Sequence, residues 1–160
     1  MRASKVALIC ATGSLLIVST ITSMISTFGT SLNGKNLVPG FIDIQLTLNR
    51  GVSFSLLTQE SELGSKLLTV ATAAIVAMLG LWAYQATRPL QGAALGTIIG
   101  GALYNTGDRA LNGGVFDFLG VRIGSMQLFV CNAADIAISL GVLLFMVDMV
   151  MDRDTAQLKR

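Results

Sequence analysis

Four long apolar stretches divide the chain. Positions 6–28, 67–87 and 89–107 contain no charged residue, and 123–147 contains one, Asp135. A helix needs about 20 residues to cross a hydrocarbon core, so each stretch predicts a transmembrane helix. The expected architecture is an all-α membrane protein of one domain, residues 1–160. Between the first two spans lies a long segment, 29–66, where Phe41, Ile42, Ile44, Leu46 and Leu48 alternate loosely after a Pro39-Gly40 turn. That pattern predicts a small β-rich domain outside the bilayer. The shorter segment 108–122 reads as a second outer loop.

Composition supports the membrane reading. Of 160 residues, 52% are hydrophobic and 12% charged, against about 25% charged in an ordinary soluble domain. The first apolar run is longer than a signal-peptide core of about 7–15 residues and lacks an A-x-A site, so a retained helix is expected. Four spans place both termini on one side. Arg2, Lys5, Arg88, Arg153, Lys159 and Arg160 then share that side, against Lys35, Arg50, Lys66, Arg109 and Arg122 on the other. This small excess and the acid-free hairpin around Arg88 put the termini in the cytoplasm.

Charge and residue types narrow the chemistry. A net charge of +2 makes no electrostatic case for nucleic acid. Histidine is absent, which removes Ser-His-Asp and Cys-His catalysis and the usual His-based zinc sites. No metal or cofactor is expected. Cys10 and Cys131 fall in apolar runs and read as small hydrophobes.

What remains is carboxylate chemistry. Asp135 within a span costs about 2.5–3.5 kcal/mol at a helix centre, so it should face the bundle interior. With the helix starting near 123–127, it would lie roughly 12–18 Å along the axis, with Asn132 on the same face. It could equally be a polar residue that holds helices together. Asp117, between Phe116 and Phe118, should have a raised pKa near apolar surface; alone it reads as an interfacial loop acid. Asp108 beside Arg109 reads as an ionised, paired group. Two acids in one wet site cannot easily both ionise. One can then take a proton from water while the other protonates a leaving nitrogen.

Three segments carry a resemblance. Positions 49–55 read N-R-G-V-S-F-S, 100–109 read G-G-A-L-Y-N-T-G-D-R with V-F-D-F at 115–118, and 131–138 read C-N-A-A-D-I-A-I. In order and spacing they resemble lipoprotein signal peptidase, the type II signal peptidase of bacteria. That family carries N-x-G-x-[AS]-F-[SG], G-G-A-x-x-N-x-x-D-R, V-x-D-F and F-N-x-A-D-x-x-I. The resemblance implies Asp117 and Asp135 as the catalytic pair, supported by Asn49, Gly101, Asn105, Asp108, Arg109, Asn132 and Ala134. It implies diacylglyceryl-modified prolipoproteins as substrates and membrane lipid as surroundings. Cleavage would fall before the lipidated cysteine, at the outer face of the cytoplasmic membrane. The chain departs from the family pattern at Ser19 and Ser23, where D-Q-x-T-K has its two charges. It departs again at Tyr104, where glycine is common, and at Cys131, where phenylalanine is usual. A non-catalytic relative that binds lipoprotein precursors, and a small proton-coupled transporter built on Asp135, stand as alternatives.

Overall fold

The structure, a computed structural model, describes residues 1–51 and 62–157, with side chains as far as Asp152 except that of Glu62. The V-S-F-S half of the first motif, positions 52–55, lies outside the described residues. So do the side chains of Arg153, Lys159 and Arg160. The elements run α1 (Ala3–Leu32), β1 (Asn36–Val38), β2 (Ile42–Asn49), α2 (Glu62–Tyr84), α3 (Pro89–Asn112), β3 (Val115–Ile123), β4 (Met126–Cys131) and α4 (Ala133–Gln157).

Among the described residues three helices are long and apolar enough to cross a membrane: Ala3–Leu32, Leu63–Tyr84 and Ala133–Asp152. Their large apolar side chains point outward. Leu8, Ile17, Phe28, Met78 and Leu143 are all more than half exposed, while Ala3, Ala7, Ala94 and Ala134 are buried. This inverts a water-soluble protein. Lipid solvates leucine as well as another leucine does, so helices associate through small residues that let backbones close up.

Helix α3 is the centre of the bundle, packed against α1, α2 and α4. Pro89 starts it at a position where no intrahelical N–H is needed. Gly92, Gly96 and Gly100 recur every four residues and lie against the backbone of Ala3, Ala7 and Ala11 on α1. A Cβ at Gly96 would run into the carbonyl oxygen of Ala7. Contacts rising in step mean that α1 and α3 run parallel. On the opposite face Gly101 meets Ala134 and Gly141 meets Ala94, so α4 runs antiparallel. The start of α1 and the end of α4 therefore lie at one end of the bundle. There Arg88 bonds Asp148 at 2.6 Å and Asp152 at 2.9 Å.

The other end carries an antiparallel sheet in the order β1-β2-β3-β4. Here the sequence expectations need correction. The protein is not all-α. The β-rich part does not come only from 29–66, because 108–122 supplies most of β3 and half of the strands follow α3. The predicted span 123–147 is two elements: β4 occupies its first third, and the helix starts at Ala133. Val, Ile and Phe suit a half-buried strand as well as a membrane helix, so an apolar run alone does not separate the two. The discriminating signal is Gly124-Ser125, a two-residue hairpin turn between Ile123 and Met126; Gly124 has φ +60°. The third predicted span also continues past 107 to Asn112. It ends where Gly113, at φ +71°, donates its N–H to the Arg109 carbonyl.

Candidate active site

The strand β2 ends at Asn49, whose buried side chain accepts the Gly51 N–H through Oδ1 at 2.9 Å. That bond turns its Nδ2 toward Asp117 on the neighbouring strand β3, where it donates to Oδ2 at 2.9 Å. Asp117 is 1% exposed. Its other oxygen, Oδ1, accepts from Nδ2 of Asn132 at 2.7 Å.

Asn132 is the junction between β4 and α4. Its Oδ1 accepts the backbone N–H groups of Ala134 at 2.7 Å and Asp135 at 3.1 Å. Its own N–H donates to Asp135 Oδ2 at 3.2 Å. This reciprocal exchange is a capping box, which satisfies orphan donors at a helix start. Asp135 therefore stands in the first turn of α4, not 12–18 Å along it. The positive end of the helix dipole favours its negative charge there, so burial is met by local electrostatics. The N-x-x-D spacing before an apolar run carried this signal.

Helix α3 completes the ring. Asn105 donates from Nδ2 to Asp135 Oδ1 at 3.1 Å and accepts from Asn132 Nδ2 at 3.1 Å. Asn132 thus touches both acids, and Asn105 touches Asn132 and Asp135. Gly101, one turn earlier on α3, leaves room for the first turn of α4: an added Cβ would stand 2.7 Å from the Ala134 carbonyl oxygen. Ala134 is fully buried among Val18, Phe118 and Ala133, where a larger side chain would push the helix start off the sheet.

Asp108 and Arg109 do not act as the close pair expected from their adjacency. Asp108 accepts the Phe116 N–H at 2.7 Å and the Asn112 side chain at 2.6 Å, pinning the turn that leads into Asp117. Arg109 is buried and donates to the Gly51 carbonyl, tying α3 to the end of β2. Strand alternation puts Phe116 and Phe118 on the sheet face away from Asp117. Burial of the carboxyl itself, more than those rings, pushes the Asp117 pKa up from 3.8 to about 6. The amides of Asn49 and Asn132 pull it down, the charge of Asp135 raises it, and Arg109 lowers it.

All nine residues singled out in the sequence, from three strands or strand ends and two helices, meet in this one region. Three of the four departures, Ser19, Ser23 and Tyr104, also meet, on a cavity beside it.

The family described as signal peptidase (SPase) II matches residues 10–151. The chain belongs to the signal peptidase II family. It is similar to the lipoprotein signal peptidase of Methylobacterium radiotolerans, 44% identical over 124 residues, covering 76% of this chain and 72% of that one. The lipoprotein signal peptidase of Methylorubrum extorquens is 43% identical over the same length, with the same coverage. A bacterial membrane enzyme solved in meso at 2.3 Å resolution shares the fold. Its TM-score is 0.74 at 22% identity, over 93% of this chain and 90% of that one. A second in meso structure, at 1.9 Å, gives 0.73. As a signal peptidase II the chain is an aspartic-type peptidase and a multi-pass membrane hydrolase of prolipoprotein signal peptides. A proton-coupled transporter does not account for that membership.

Proposed function

We propose that Asp117 and Asp135 form the catalytic dyad, cleaving diacylglyceryl-modified prolipoproteins immediately before the lipidated cysteine. The observation that carries this is the shared asparagine: Asn132 holds Asp117 through Nδ2 and Asp135 through its backbone N–H. Two carboxylates facing one hydrogen-bonding residue repel each other, so the pair keeps one proton. A water beside them gives a proton to the ionised acid as its oxygen attacks the carbonyl carbon. The protonated acid hydrogen-bonds the carbonyl oxygen. When the tetrahedral intermediate collapses, the C–N bond breaks and the protonated acid passes its proton to the amine of the lipidated cysteine. Asn49, Asn105 and Asn132 orient the acids. Gly101 and Ala134 allow the close approach, and Asp108 and Arg109 hold the ends of β3 and β2.

In this reading α3 is the fourth span, the termini are cytoplasmic and the sheet lies at the outer face. An active centre at the sheet end of the bundle suits a substrate whose lipid stays in the bilayer while the bond to be cut reaches water. The test is Asp117→Asn and Asp135→Asn in the full chain, assayed on a lipid-modified prolipoprotein in detergent micelles. Each substitution should lower the rate at least about 10²-fold. Wild-type turnover in either variant rejects the dyad. The pH profile should fall on both sides of an optimum.

A further inference from the structure

A cavity of about 420 Å³ lies between the outer part of α1, the end of α3 and the sheet. It is lined by the hydroxyl-bearing residues Ser19, Thr22, Ser23, Ser26 and Tyr104, with Asp108 and Phe116 among the remaining residues. Leu48 and Phe116 face it from the strands, and they alternate with Asn49 and Asp117, so it opens on the sheet face away from the dyad. Its volume falls in the usual range of about 300–1,000 Å³ for a small-molecule site. Thr22 is 5% exposed although it stands on a lipid-facing helix. On the same stretch of α1, Ile21, Met24 and Phe28 are exposed apolar residues, placed to meet acyl chains.

The charge of the lining selects the occupant. Among the described residues Asp108 is the one charged residue on the cavity wall, and no described lysine or arginine lines it. A purely anionic headgroup would meet a carboxylate with no cation to offset it. Hydroxyls donate to phosphodiester or ester oxygens. Asp108 accepts two hydrogen bonds from the chain itself, and a carboxylate has about four acceptor sites, so it can also take an ammonium.

We propose that this cavity binds the headgroup of a membrane phospholipid bearing a primary ammonium, with the phosphate on the α1 hydroxyls and Tyr104 and the ammonium on Asp108. Because Asp108 also holds the Phe116 N–H, one residue before Asp117, occupancy tightens the strand that carries one acid of the proposed dyad. The site does not depend on which residues perform the cleavage.

The full chain, purified in detergent and stripped of lipid, is titrated with phosphatidylethanolamine, N-acetylated phosphatidylethanolamine and phosphatidylglycerol of the same acyl chains. Bound lipid is counted by native mass spectrometry, and the thermal midpoint is followed in parallel. Phosphatidylethanolamine should be retained about tenfold more strongly than either comparison lipid, as expected for one charge-assisted hydrogen bond, and should alone raise the midpoint. Tyr104→Phe and Ser23→Ala remove donors to the phosphate that all three lipids share, so each should lower the retention of all three. Equal retention of the three lipids by the wild-type chain overturns the proposal without recourse to any variant. Soluble phosphoethanolamine raising the midpoint as much as the lipid would assign the site to a free phosphoamine instead, which also overturns it.

Discussion

Asn132→Ser separates two jobs that one side chain performs. Serine caps a helix about as well as asparagine, so its oxygen can still accept the Ala134 and Asp135 N–H groups. It cannot reach Asp117 or Asn105, which receive Nδ2 at 2.7 and 3.1 Å. The bond to a carboxylate contributes about 1.5–3 kcal/mol and the neutral bond about 1 kcal/mol, so unfolding should become easier by about 2–4 kcal/mol. Asn132→Ala loses the cap as well, a further cost of about 1 kcal/mol. The catalytic effect has a direction. The Asn132 amide lowers the Asp117 pKa from what burial alone would set, so its loss moves that pKa upward from about 6. Asp117, with the raised pKa, is the member that keeps the shared proton, so the alkaline limb of the cleavage profile should shift to higher pH in Asn132→Ser, in addition to any fall in maximal rate. Initial rates on a lipid-modified prolipoprotein, taken across the pH range with a denaturation curve at each end, measure both. A destabilised variant whose alkaline limb coincides with that of the wild type would refute the reasoning, since a structural role alone lowers stability without moving a titration.

Other outcomes follow from the same structure. Asp117 binds a proton in the folded chain up to about pH 6 but in the unfolded chain only near its ordinary value of 3.8. Its contribution therefore favours folding on the acid side and is lost as pH rises from about 4 to about 6. The ceiling is about 3 kcal/mol at 1.36 kcal/mol per unit, reduced by whatever water reaches the site. Asp117→Asn should flatten this part of the stability profile in denaturant titrations. Gly96→Ala places a methyl against the Ala7 carbonyl and should destabilise the bundle by about 1–3 kcal/mol, read as a lower thermal midpoint. Gly101→Ala presses on Ala134 in the first turn of α4. It should therefore reduce the cleavage rate as well as stability, a combination that Gly96→Ala, at the far side of α3, should show less strongly. Arg88→Ala leaves the buried Asp148 without its ion pair and should lower the midpoint while the pH profile of cleavage stays in place.

The amino-acid sequence by itself determined the solvent and the chemistry. Long uncharged runs are a property of composition along the chain, and lipid is the medium that tolerates them, so the membrane helices were legible. The lack of histidine and the placement of Asp117 and Asp135 left carboxylates as the available acid and base, and the ordered motifs pointed to the family. The tertiary structure decided where those acids stand. Whether the stretch around Phe129 is helix or strand depends on its pairing with β3, which the sequence marks only by the Gly124-Ser125 turn inside an otherwise uniform apolar run. That pairing ends at Cys131, moves the helix start to Ala133, and converts Asp135 from a mid-helix charge into the end of a capping box. The role of Asn132 as a bridge between two acids, and of Asp108 as the anchor of a turn instead of the partner of Arg109, has the same origin. A side chain's hydrogen bonds are chosen by what the fold brings within about 3 Å of it, and neighbours along the chain say little about that.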